Sequence, residues 1–87
     1  MCMEYLGLPA VSLAGHDKGT LLCVEGMEGE RLLLADGRRR KVQSPKRKQL
    51  KHIVFIEAAA HSGPLTNKAL RAYLRQVEEQ TGHSKTK

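Results

Sequence analysis

Apolar residues fall in short clusters over the first two thirds of the chain and then change period. Alternation in Ala10-Val11-Ser12-Leu13 predicts a strand. Gly15-His16-Asp17-Lys18-Gly19 predicts a turn. Residues 20–24 are β-branched and apolar, a second strand, and Gly26-Met27-Glu28-Gly29 reads as a hairpin connection. A third strand, Arg31-Leu32-Leu33-Leu34-Ala35, stops at the tight-turn pair Asp36-Gly37. Residues 39–43 read as a fourth strand, ended at Ser44-Pro45 because proline has no N–H for a ladder. Residues 51–57, carrying Ile53, Val54, Phe55 and Ile56, make a fifth.

Short strands with turns about every 8–12 residues describe a sandwich or a barrel, and closure favours the barrel because it removes exposed edges. Leu22 and Val24 share a face, as do Leu32 and Leu34. Val11, Leu13, Val42 and either Ile53/Phe55 or Val54/Ile56 complete the expected interior. Leu21-Leu22 and Leu32-Leu33-Leu34 exceed strict alternation, so a second layer is expected over one side. The cover follows in sequence. Thr66 is an N-cap candidate, and Ala69, Leu70, Tyr73, Leu74 and Val77 recur at helical spacing up to Gly82. The expected organisation is an N-terminal segment (1–9), a barrel (10–57), a linker (58–65), a helix (66–81) and a disordered tail (82–87).

At 87 residues and 9.7 kDa the sequence fits one domain. No run approaches the ~20 apolar residues of a membrane helix. The start, Met1-Cys2-Met3-Glu4-Tyr5, lacks the basic and apolar regions of a secretion signal. A cytoplasmic protein without a membrane partner is therefore expected. Three rings (Tyr5, Phe55, Tyr73) and no Trp leave little for base stacking. So small a domain has little depth for a catalytic cleft or a small-molecule substrate.

Charge changes the picture more. The net charge is +6 and the pI about 9.7. Residues 1–37 hold two bases against six acids; residues 38–52 hold eight bases and no acid; residues 53–87 hold five bases and three acids. The excess is thus concentrated in Arg38, Arg39, Arg40, Lys41, Lys46, Arg47, Lys48 and Lys51. Such a window repels itself, and a polyanion is the usual offset. Lys68, Arg71 and Arg75 add cations on the polar side of the helix, where Arg75 can pair with Glu79 one turn on.

Other chemistry is sparse. Cys2 and Cys23 form no CxxC, and Cys23 reads as a small buried residue, which fits a reducing compartment. His16, His52, His61 and His83 stand apart from the cysteines and from one another, so no metal site or cofactor is expected. No nucleophile, base and orienting acid fall together, and no catalytic residue is assigned. Residues 15–20 fail the phosphate-loop pattern, because Lys18 precedes the second glycine.

Three blocks in order nevertheless look familiar. Val11-Ser12-Leu13-Ala14-Gly15-His16-Asp17-Lys18-Gly19 resembles the start of a KOW motif, with Gly19 at that motif's glycine. Leu34-Ala35-Asp36-Gly37 with the basic stretch after it, and Pro45-Lys46-Arg47-Lys48-Gln49-Leu50-Lys51-His52, extend the match. Together they resemble the large-subunit ribosomal KOW proteins of the fourteen-e, six-e and twenty-seven-e lineages and their short bacterial relatives. The resemblance spans residues 11–52. It implies a mainly β fold, a small SH3-like five-stranded barrel of the KOW type; the C-terminal helix, expected to pack on that barrel through its own apolar stripe, has no counterpart in the match. It also implies binding of structured RNA, ribosomal RNA of the large subunit foremost, with other ribosomal proteins as possible neighbours. Carried onto this chain, the RNA-binding set is Gly15, His16, Lys18, Gly19, Arg38, Arg39, Arg40, Lys41, Lys46, Arg47, Lys48, Lys51 and His52; Lys68, Arg71 and Arg75, outside the match, are a secondary set read from their helical spacing. The alternative is a protein-interaction module, since SH3-like barrels such as those of NusG-type factors also dock polypeptides; here the basic window would meet an acidic partner.

Overall fold

The computed structural model describes residues 5–15 and 18–81. Its elements are β1 (Pro9–Ser12), β2 (Leu21–Glu28), β3 (Arg31–Ala35), β4 (Lys46–Gln49), a 3-10 turn (Leu50–His52), β5 (Ile53–Phe55) and α1 (Asn67–Thr81). The strands form one antiparallel sheet in the order β4-β3-β2-β1-β5. Pairing stops at β4 and β5, so a five-stranded sheet with one C-terminal helix is the observed architecture. No described helix is long and apolar enough to cross a membrane.

The unbroken apolar runs are explained by a core on each face of the sheet. Ala10, Leu22, Val24, Leu32, Leu34 and Ile53 pack on one face, with Tyr5 and Phe55 at its margin. Tyr5 stacks on Phe55 with ring centroids 5.3 Å apart. Val11, Leu21, Cys23 and Ala35 face the other way and meet Leu70, Leu74 and Val77 of α1. Consecutive residues of β2 therefore alternate between two buried layers, which is why the strand loses its polar phase. Of the two β5 phases, Ile53/Phe55 lies on the first core, while Val54 is exposed.

The helix begins where the sequence places it. Thr66 Oγ1 accepts the Ala69 N–H at 3.1 Å, satisfying one orphan donor of the first turn. The stop expected at Gly82 and the tail beyond it lie outside the described residues, as does Cys2.

Several expectations are corrected. Strand β1 lies one residue earlier than predicted, which leaves Leu13 exposed outside the core. Val11 and Val42 belong to the helix-side cluster. Strand β2 continues to Glu28, so Gly26-Met27-Glu28 is strand and the connection is Gly29-Glu30. A register shift between Val24 and Gly26 leaves Glu25 unpaired as a bulge. Lys51 and His52 lie in the 3-10 turn, and β5 is confined to Ile53–Phe55.

The largest correction concerns the basic window. Residues 39–43 are loop, and the strand is Lys46–Gln49, in the interval between the fourth and fifth strands expected from the sequence. Asp36 decides this. Its Oδ1 accepts the N–H groups of Arg38 (2.8 Å) and Arg40 (3.0 Å), while the Arg40 carbonyl accepts from Asp36 and Gly37. The backbone groups a ladder would use are thus satisfied locally. Consequently Arg38 and Arg40 do not share a strand face opposite Arg39. Pro45 ends the loop, and four polar residues then pair with β3 as an edge strand, where lysines discourage further pairing.

Candidate functional site

Register gathers most of the candidate residues at one end of the sheet. Val11 pairs Leu21, Ser12 pairs Ile53, Cys23 pairs Ala35 and Leu34 pairs Lys46. The connections 13–20 and 36–45 and the start of β5 therefore share that end. His52 is fixed there by its carbonyl, which accepts the Leu13 N–H at 2.8 Å. Gly15, Lys18, Gly19, Arg38, Arg39 and Lys41 are exposed at this end, and Arg40, Lys46 and His52 are half-buried. Lys51 is exposed in the adjoining 3-10 turn. His16 lies outside the described residues.

Two members of the expected set are committed elsewhere. Arg47 is opposite Leu33, and its Nε donates to the Glu28 carboxylate in an exposed ion pair. Lys48 is opposite Leu32 and only 9% exposed. Its Nζ donates to the Ala14 carbonyl at 3.1 Å, so it ties β4 to the 13–20 connection. Neither stands as a free surface cation.

The structure also joins two sets that the sequence kept apart. The 36–45 loop is fastened to the first turns of α1. Asn67 Oδ1 accepts the Val42 N–H at 2.8 Å, and Asn67 Nδ2 donates to Gln43 Oε1 at 2.9 Å. Arg71 Nη1 donates to the Gly37 carbonyl at 2.8 Å. Gly37 is buried with φ +80°, and a Cβ there would run into the Asn67 carbonyl and reach within 3.0 Å of Arg71 Cγ. Only glycine permits both this backbone conformation and this approach.

The contact places Arg38 beside Lys68, Arg71 and Arg75 along an open groove of about 480 Å³. A smaller cavity of about 50 Å³ between Arg38, Arg71 and Arg75 is floored by Leu21 and Leu74 and edged by Asp36 and Glu78. The Arg75–Glu79 pair expected along the helix is not formed. Among the described residues no carboxylate makes an ion pair with any of these four cations. Sequence reasoning named all four but missed the Gly37 and Asn67 contacts that assemble them. The available signals were a glycine after Asp36 and an asparagine in a helix's first turn.

Perturbed groups lie away from this surface. Burial, then the Glu25 charge, pushes the Cys23 thiol up to about 12. Burial, then Cys23, pushes Tyr73 up to about 12, and its hydroxyl donates to the Ala59 carbonyl at 2.6 Å. Burial at the bulge raises Glu25 above the ordinary carboxylate range, and its buried Oε1 has no partner. No cluster of three metal-ligating side chains occurs among the described residues. No protein-family model matches the chain, and no curated protein matches it.

Proposed function

We propose that this chain is an RNA-binding module of the KOW type, its sheet an SH3-like barrel, that acts in the cytoplasm by holding the phosphate backbone of folded RNA. The carrying observation is the convergence of Arg38, Arg39, Lys41, Lys46 and Lys51 on one end of the sheet and its adjoining turn, with no ion-pair partner among the described residues. Guanidinium forks match phosphate oxygens in pairs, and ammonium groups act as mobile point charges. The strand order supports the barrel, since β5 returns to pair β1, as an SH3-like topology requires. The KOW-like blocks at residues 11–19 and 34–52 point to ribosomal RNA of the large subunit as the first RNA to test.

With ~4–6 phosphate contacts, log affinity should fall with log salt at a slope of roughly −3 to −5. The Arg39→Gln/Lys41→Gln pair should flatten that slope by about 1.5 and weaken different folded RNAs alike, because phosphate contacts position without reading sequence. Affinity that ignores salt refutes the proposal. So does a complex with an acidic protein that survives ribonuclease while no RNA is retained.

A further inference from the structure

We infer that the groove between the 36–45 loop and α1 is a distinct phosphate site, in which Arg38, Arg71, Arg75 and Lys68 take successive phosphates of one nucleotide strand. That the strand is RNA rests on the function proposed above; the site itself stands on geometry. Lys68, Arg71 and Arg75 follow at helix-neighbour spacing, and Arg71 and Arg75 are separated by about 6 Å of helix rise. Like charges at that spacing repel, and no described carboxylate pairs with them. An anion between them is the arrangement that relieves the repulsion.

The site is also held in place before any ligand arrives. Arg71 spends one donor on the Gly37 carbonyl, which fixes its guanidinium and leaves its other N–H groups for a ligand. Asn67 holds the loop that carries Arg38 through both of its amide atoms. In the smaller cavity that Arg38, Arg71 and Arg75 also line, Leu21 and Leu74 supply apolar walls, where the attraction to an anion is less screened than in open water. Of the acids nearby, Asp36 is occupied by backbone N–H groups. Glu78 and Glu79 follow Arg75 in sequence, Glu79 lining the groove and Glu78 the smaller cavity, so they limit how far a polyanion can extend along the helix.

Tripolyphosphate is the probe that separates this site from RNA binding as a whole. Titrated into the full chain and followed by amide NMR, it should shift Gly37, Arg38, Arg71 and Arg75 more than Lys46 or Lys51. Shifts spread evenly over all cations, or absent from the groove, overturn the site. A polyglutamate peptide that displaces the probe equally well overturns its phosphate character. The Lys68→Gln/Arg75→Gln pair removes two exposed cations that make no structural hydrogen bond. It should weaken binding of a folded RNA at least about tenfold and flatten the salt slope by about 1.5. Unchanged affinity in a variant that melts like the parent also overturns the site. If the parent binds no RNA but the probe still shifts the groove, the RNA proposal falls and the site remains.

Discussion

Replacing Gly37 by alanine tests the junction on which the groove depends. Two effects act together. Forcing an L side chain into the left-handed region costs about 1–2 kcal/mol. The new Cβ would also sit against the Asn67 carbonyl and 3.0 Å from Arg71 Cγ, so helix and loop must separate. Overpacking of this kind costs about 1–3 kcal/mol. Together they give about 3 kcal/mol, a large share of the roughly 4–13 kcal/mol expected for a chain of this length. Gly29 is the control. Its φ is +64°, but no atom lies within 4 Å of an added Cβ. Gly29→Ala should therefore cost only about 1 kcal/mol. The gain from restricting the unfolded chain is common to both changes and cancels in the comparison. Thermal unfolding followed by circular dichroism should show Tm falling by roughly 12–24 °C for Gly37→Ala and about 4–8 °C for Gly29→Ala. Equal losses at the two positions would refute the steric argument and with it the fixed loop–helix contact.

Glu25→Gln should remove a pH-dependent loss of stability. Folding raises this carboxyl, so its stabilising effect is complete below its unfolded value of 4.5 and is lost as pH rises through the folded value. Denaturant titrations at acid and neutral pH should show the parent losing more than the variant on going to neutral. Cys23 should resist alkylation in a Cys2→Ser background at pH 8, because burial holds its pKa near 12, and should react only on unfolding. Rapid labelling of the folded protein would contradict that placement. Lys48→Ala should cost about 1–2 kcal/mol by stripping a packed stem and the Ala14 contact, while Lys48→Met should restore most of the loss. Equal urea midpoints for the two variants would show that the stem does not pack.

How much was legible in the chain depended on how local the cause was. Strand β3 matches its expected span, because its apolar run is bounded by turn residues on both sides. Helix α1 was readable from its stripe and from Thr66, whose capping bond depends on neighbours three residues away. The basic window was misassigned because its structure depends on two competitors for the same backbone groups. The Asp36 and Asn67 side chains captured the Arg40 and Val42 N–H groups, donors that a strand at 39–43 would have used. The strand at Lys46–Gln49 carries no apolar signal at all, since it pairs as an edge and buries only the stem of Lys48.

The sequence by itself determined that positive charge is concentrated in one window, that strands precede a single amphipathic helix, and that a second layer must cover the sheet. These follow from composition and periodicity, which need no partner to be read. Tertiary structure alone decided which cations remain available. Glu28 takes Arg47, the Ala14 carbonyl takes Lys48, and the close approach at Gly37 brings Arg38 to the helix arginines. Each of those outcomes joins residues at least 19 positions apart, where spacing along the chain carries no information about distance in space.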